Sequence, residues 1–159
     1  MTSDKRKEES DPRTEAELGA GHSKRKEKSK KSNYMDNKSP KIKDYRDLFV
    51  WQKACQLIKK GLKILRDAKK DFISWAIIKQ LVASLLSIRA NIVEGWCGHH
   101  GKSFASYLEI ARGSTGETED WFYALYDEKY ITETMYNDVS KDCRELMAML
   151  SGLINKIRK

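Results

Sequence analysis

Four side chains able to bind a metal or to carry acid–base and nucleophilic chemistry fall within seven positions of the stretch NIVEGWCGHHGK: Glu94, Cys97, His99 and His100. A thiolate–imidazole zinc site draws a second ligand pair at a recognisable spacing, such as CxxC or HxxxH. The sequence has no CxxC, no HExxH and no HxE partnered by PCxxC, and its one other histidine is His22. Cys97 beside a histidine could serve as a thiol nucleophile, and Glu94 with Glu117, Glu119 and Asp120 of ETED could form an acid/base pair. No GxSxG, GxxxxGKS/T or GxGxxG motif accompanies them. A helix running out into a tight turn accounts for the stretch more simply. Glu94 and Cys97, three apart, share a helix face, and Gly95 and Gly98 offer the backbone freedom that helix ends use. His99 and His100 then follow the negative end of the helix dipole or face phosphate. The reading is of a non-enzymatic protein with no catalytic residue, no metal and no cofactor.

Charge points elsewhere. The chain carries 31 Lys+Arg against 23 Asp+Glu, a net +8 with a pI near 9.3, which favours polyanionic partners without specifying a fold. Residues 1–43 hold 13 basic against 8 acidic residues, and residues 44–159 hold 18 against 15. Before Tyr34 the N-terminal part has no aromatic residue and a single large aliphatic, Leu18, so residues 1–40 are expected to be a disordered basic tail and 41–159 the folded domain. The densest basic run, KRKEKSKK, supplies Lys24, Arg25, Lys26, Lys28, Lys30 and Lys31, either as a nucleic-acid-binding arm or as a solubilising tail. A second candidate is the stripe Lys59, Lys63, Arg66 and Lys70, spaced 4, 3, 4 and flanked by Lys53 and Lys60. It is either an ordinary solvated helix face or a row of phosphate contacts that oligomerisation would multiply. Most Trp and Phe fall on apolar stripes, which leaves Tyr34 and Tyr45 to stack on bases.

The elements that must position these residues are helical. Leu48, Trp51, Cys55, Ile58, Leu62 and Leu65 recur at 3, 4, 3, 4, 3, with Asp44 or Asp47 able to cap the start. Lys69-Lys70-Asp71 breaks the pattern. A second segment, helical over 73–96, carries Ile73, Ile77, Leu81, Leu85, Ile88 and Ile92, plus a second apolar face of Ile78, Val82, Leu86 and Val93. One bundle core cannot cover both faces, so the second is expected to be an oligomer interface. The third segment runs through Phe104, Leu108, Ala111, Thr115, Thr118, Phe122 and Leu125. Gly113 and Gly116 within it cost a helix about 1 kcal/mol each, which implies close approach of another backbone or a local break. Thr132 caps a fourth segment of Met135, Val139, Cys143, Leu146, Leu150, Leu153 and Ile157. Both prolines, Pro12 and Pro40, precede all four segments, and no alternating strand-like stretch occurs. The expected fold is an all-α, antiparallel up-down-up-down four-helix bundle behind a disordered basic tail. Three scattered cysteines (Cys55, Cys97, Cys143) read as buried reduced thiols. No uninterrupted apolar run of membrane length and no secretory leader is present, so a cytoplasmic protein without a membrane partner is expected.

Several blocks carry a resemblance. KDYRDLFVWQKA at 43–54, SIRANIVEGW at 87–96, the turn GHHGKSF, YLEIARGSTGETEDW and DEKYI resemble, in order, the four-helix bundle proteins encoded in 23S rRNA intervening sequences. The likeness spans residues 43–157. Arg89 departs from it, standing where many such proteins have Pro or Gly, so the kink expected at that point is lost. The basic extension lies outside the family pattern. The resemblance implies a homo-oligomeric, pentameric bundle with no catalytic residues to carry over. More distantly, the architecture resembles the accessory variability protein of diversity-generating retroelements, a basic pentamer that binds reverse transcriptase and nucleic acid. The functional expectation is a bundle that binds nucleic acid, RNA or a ribonucleoprotein, through its phosphate backbone. The alternative is a protein-interaction adaptor to a reverse transcriptase or ribosomal factor.

Overall fold

The computed structural model describes residues 42–159, and the tail with Lys24, Arg25, Lys26, Lys28, Lys30 and Lys31 lies outside them. A short 3-10 turn at Tyr45–Asp47 leads into α1 (Phe49–Asp67), α2 (Phe72–Gly98), α3 (Gly101–Asp127) and α4 (Glu133–Arg158). No strand occurs among the described residues, and the all-α four-helix fold is as expected.

Each start and stop has a local cause. Asp44 and Asp47 cap the 3-10 turn rather than α1: Asp44 accepts from the Arg46 N–H at 2.9 Å, and Asp47 from the Lys43 and Asp44 N–H groups at 2.9 and 3.0 Å. Asp71, which the sequence marks only as a break, begins α2 through a reciprocal capping box with Ser74, both bonds 2.8 Å. Thr132 caps α4 as expected, its hydroxyl accepting from the Met135 N–H at 3.2 Å, an interaction worth about 1 kcal/mol. Gly95 is not a terminus. α2 continues to Gly98, and the positive φ of 53° needed to enter α3 falls on Gly101.

Connections this short force neighbouring helices to run in opposite directions, and the side-chain pairs between helices confirm the register. As α1 ascends from Lys53 to Lys60, its ion-pair partners on α4 descend from Glu145 to Asp138. Ser84, Ser87 and Glu94 of α2 meet Thr118, Ser114 and Tyr107 of α3. Glu109 and Glu119 of α3 meet Arg158 and Arg144 of α4. α1 and α3 each pack on α2 and α4, and the backbones of the two diagonal pairs stay farther apart, so the helices form a square.

The apolar stripe of α3 is buried at all seven expected positions, joined by Ala105 and Ser114. Thr118 and Ser114 are accommodated there because hydroxyls pair across the seam, Thr118 to Ser84 at 3.0 Å and Ser87 to Ser114 at 2.9 Å, while Thr115 donates to the Ala111 carbonyl of its own helix at 2.8 Å. In α4 the buried positions are Val139, Ser140, Cys143, Leu146, Leu150 and Ile154; Met135, Leu153 and Ile157 sit at the edge.

α1 is rotated from expectation. Its buried set is Val50, Ala54, Leu57, Ile58, Gly61, Ile64 and Leu65, while Trp51, Cys55 and Leu62 lie on the flank. The cause is size complementarity: a Cβ on Gly61 would stand 3.0 Å from Leu85 Cδ1 and 3.2 Å from Phe122 Cζ. Large residues reach in from α2 and α3, so small ones serve as core on α1.

α2 buries Ser74, Ile78, Leu81, Ser84, Leu85, Ile88, Ile92 and Gly95, and runs without a break through Arg89. Ile73 turns outward instead. By length and composition α2 could also cross a bilayer, despite lacking an uninterrupted apolar run; Lys79, Arg89 and Asn91 interrupt it, and its buried stripe faces the chain's own core.

Candidate functional site

Because α1 buries the face through Leu57, Gly61 and Ile64, the residues opposite point to solvent. Lys59, Lys63, Arg66 and Lys70 are all exposed; the 4, 3 spacing of the first three keeps them within about 60° of one another around α1, and Lys70 follows in the connection to α2. None makes an ion pair with another described residue; Lys70 Nζ donates to the Arg66 carbonyl at 2.8 Å, satisfying one of the open carbonyls at the end of α1. The flanking lysines behave differently. Lys53 pairs with Asp142 at 2.8 Å and with Glu145, and Lys60 pairs with Asp138 at 2.8 Å and with Asp142. Burial works against the charge on both lysines, but hydrogen bonds to these carboxylates outweigh it and hold their ammonium groups above the ordinary lysine range. Burial likewise opposes ionisation of Asp142, yet Lys53 and Lys60 hold it below the usual carboxylate range. So the cations of this segment divide: Lys53 and Lys60 stitch α1 to α4, while Lys59, Lys63 and Arg66 of α1, with Lys70 just beyond its end, form a ridge with no ion-paired counter-ion among the described residues.

The ridge runs between two grooves. The larger, about 560 Å³, lies between α1 and α4 and is lined by Lys59, Lys60, Lys63, Ile64, Asp67, Thr134, Met135 and Asp138. The smaller, about 270 Å³, lies between α1 and α2, with Arg66 and Lys70 beside Leu62, Leu65, Trp75, Ile78 and Val82. Charge is polarised across the bundle. α1 carries five Lys/Arg and one Asp, whereas α3 carries two Lys/Arg and five Asp/Glu.

The 94–100 stretch does not assemble into a site. His99 stacks on Tyr107 with ring centroids 4.5 Å apart, and Tyr107 donates to Glu94 at 3.3 Å. Burial, then the Glu94 charge, raises the Tyr107 phenol above its usual range. His100 is exposed at the start of α3 and Cys97 is exposed on the last turn of α2. Among the described residues no three His, Cys, Asp or Glu side chains converge as metal ligands. The expectation of three buried thiols fails in part: Cys143 is buried, with burial pushing its thiol up to about 12, but Cys55 is half-buried and Cys97 is exposed. Tyr45, a stacking candidate, is occupied within the chain, edge-on to Trp51 at 5.6 Å; Tyr34 lies outside the described residues.

Of the face assigned to an oligomer, Leu86 is 44% exposed and Val82 and Val93 are half-buried. Ile78 is corrected: at 7% exposed it belongs to the chain's own core, because the α2 stripe that meets α1 and α3 passes through it. Trp75, 58% exposed, shares the outward line of Val82, Leu86 and Val93, and Phe72 is 90% exposed nearby. The sequence reading missed both, since aromatics at helical spacing read as core. Their angular offset from Leu81, Leu85, Ile88 and Ile92 was the available signal. The close approach expected at Gly113 is absent, as nothing lies within 4 Å of a Cβ built there, and α3 does not break.

Comparisons with known proteins agree with this fold. A family model described as 23S rRNA-intervening sequence protein matches residues 46–152. Among solved structures the chain is similar to a protein of unknown function from the S23 ribosomal protein family of Bacteroides thetaiotaomicron. The two share 30% identity at a TM-score of 0.59, over 66% of this chain and 97% of that one. No match is found among curated proteins.

Proposed function

The chain belongs to the 23S rRNA-intervening sequence protein family, and from that premise we propose that it is a non-enzymatic homo-oligomer that binds nucleic acid through phosphate contacts. The observation that carries this reading is the α1 ridge. Lys59, Lys63, Arg66 and Lys70 stand in line, exposed, while the neighbouring Lys53 and Lys60 are neutralised by α4. Four cations without an ion-pair partner among the described residues form the electrostatic footprint of a polyanion, and assembly into a ring, a pentamer on the family's pattern, would repeat it. The outward α2 line of Trp75, Val82, Leu86 and Val93 supports self-association, because such a strip is apolar where a monomer's surface should be polar. Residues 24–31 add a second basic region, whose contribution the same assay measures when a form lacking residues 1–40 is included.

The test is a titration of labelled RNA into the full-length protein at two salt concentrations, beside a variant with Lys59, Lys63, Arg66 and Lys70 changed to Gln. Salt-sensitive binding by the parent that weakens in the variant supports the reading. Equal binding by both contradicts it. The second reading, an adaptor for a protein such as a ribosomal factor or a reverse transcriptase, is favoured by the same α2 strip, which would take a foreign helix as readily as a second copy. Sedimentation separates the two: a stable assembly several times the monomer mass supports self-association, and Val82→Lys should dissociate it.

A further inference from the structure

The α1–α4 groove is graded along its length. At one end Lys59 and Lys63, one helical turn or about 6 Å apart, face it without an ion pair to another described residue. Lys60 between them is already held by Asp138 and Asp142. At the other end, one further turn along α1, stands the exposed carboxylate of Asp67. The floor between is apolar, made by Ile64, 8% exposed, and half-buried Met135, with the Thr134 hydroxyl on the α4 side. The volume of about 560 Å³ falls within the range that takes a small organic group. A phosphate is drawn to the lysine end and repelled from Asp67. A flat base suits the apolar floor, with its amino edge toward the carboxylate, which accepts hydrogen bonds and donates none. We infer that this groove seats one unpaired nucleotide of a single-stranded nucleic acid, phosphate at Lys59 and Lys63, base over Ile64 and Met135, amino edge at Asp67.

The inference rests on the phosphate-binding reading above and goes beyond it, because a ridge alone treats single and double strands alike, whereas a base held in a duplex cannot enter the groove. Two consequences follow. Single strands bind more tightly than duplexes of equal length at equal salt. Strands of adenine or cytosine, which offer an exocyclic amine, bind more tightly than uracil strands, which offer none. Polarity of this kind is absent from a purely electrostatic surface.

The experiment uses the full chain and a plug variant, Thr134→Trp, at an exposed position on the groove wall, with thermal melting to establish that it folds. Both are titrated with oligoadenylate, oligouridylate and a duplex RNA of the same length. The parent should prefer oligoadenylate several-fold over both other probes, and the plug should reduce oligoadenylate binding to the duplex level while leaving duplex binding unchanged. A second variant, Asp67→Asn, should narrow the gap between oligoadenylate and oligouridylate. If the parent binds all three probes equally and the plug changes nothing, the seat is overturned while the ridge reading stands. If the parent binds none of them, both fall.

Discussion

Where α2 meets α3, Gly95 brings the helices so close that a Cβ there would stand 2.7 Å from Tyr107 Cβ and 2.8 Å from Phe104 Cδ2. Two to three turns further along the same seam Ser84, Ser87, Ser114 and Thr118 pair hydroxyl to hydroxyl. Where α1 meets α4, long charged side chains span the gap instead: Lys53 and Lys60 reach Asp138, Asp142 and Glu145 at the rim, and a groove remains open beside them. The first seam is close-packed and intolerant of added atoms. The second is held by groups whose contribution depends on pH and salt. The basic ridge and its larger groove lie beside the second because an ion-paired, loosely filled seam leaves open space that a close-packed one does not.

The contrast predicts unequal responses to mutation. Gly95→Val should be the most damaging, since neither Tyr107 Cβ nor the Phe104 ring can yield cheaply; overpacking of this kind costs roughly 1–3 kcal/mol, and thermal melting should place it at the upper end. Thr118→Val keeps the shape but removes the hydroxyl that pairs with buried Ser84, for a loss of about 1–2 kcal/mol by urea denaturation. Asp142→Asn should cost less, about 1 kcal/mol at neutral pH, because Glu145 and Asp138 still serve the two lysines.

That third effect has a defined pH window. Asp142 has its folded value below 3.8, so its contribution is complete above that pH and is lost as pH falls through the lowered value. Lys53 and Lys60 have theirs above 10.5, so their contribution is complete below that pH and is lost as pH rises through the raised values. The stability difference between parent and Asp142→Asn should therefore persist from pH 5 to 9 and close toward pH 2. A difference that stays constant down to pH 2 would mean that the ion pairs do not hold the seam.

The same two seams explain what is legible in the sequence. α3 is readable at seven of its nine buried positions because these fall on one 3.6-residue period; Ala105 and Ser114, small residues beside that line, are not. α1 is not: Gly61 is core only because Leu85 and Phe122 fill the space above it, a fact that lives on other helices. α2 is apolar on most of its circumference, so periodicity cannot separate buried Ile78 from exposed Ile73 and Trp75. Gly95 reads as backbone freedom in the sequence, whereas its role in the fold is close approach. Of the candidate site, the ridge Lys59, Lys63, Arg66 and Lys70 is visible as a charge pattern. The partition of the cations, with Lys53 and Lys60 consumed by α4, needs the tertiary register. The groove beside the ridge is invisible to periodicity, since Thr134 and Asp67 meet only once α1 and α4 are antiparallel.

Changing Lys59, Lys63, Arg66 and Lys70 to Gln leaves the ion pairs of one seam and the hydroxyl pairs of the other in place, so folding stability should move by less than about 0.5 kcal/mol, the smallest effect on folding expected here. Binding should behave in the opposite way. The most direct measurement is the slope of log affinity for single-stranded RNA against log salt concentration, parent beside quadruple variant. Each cation–phosphate pair removed should flatten the slope by roughly 0.7, so removing all four should flatten it by nearly 3. Identical slopes and affinities for the two proteins would contradict the account, leaving the ridge an ordinary solvated face.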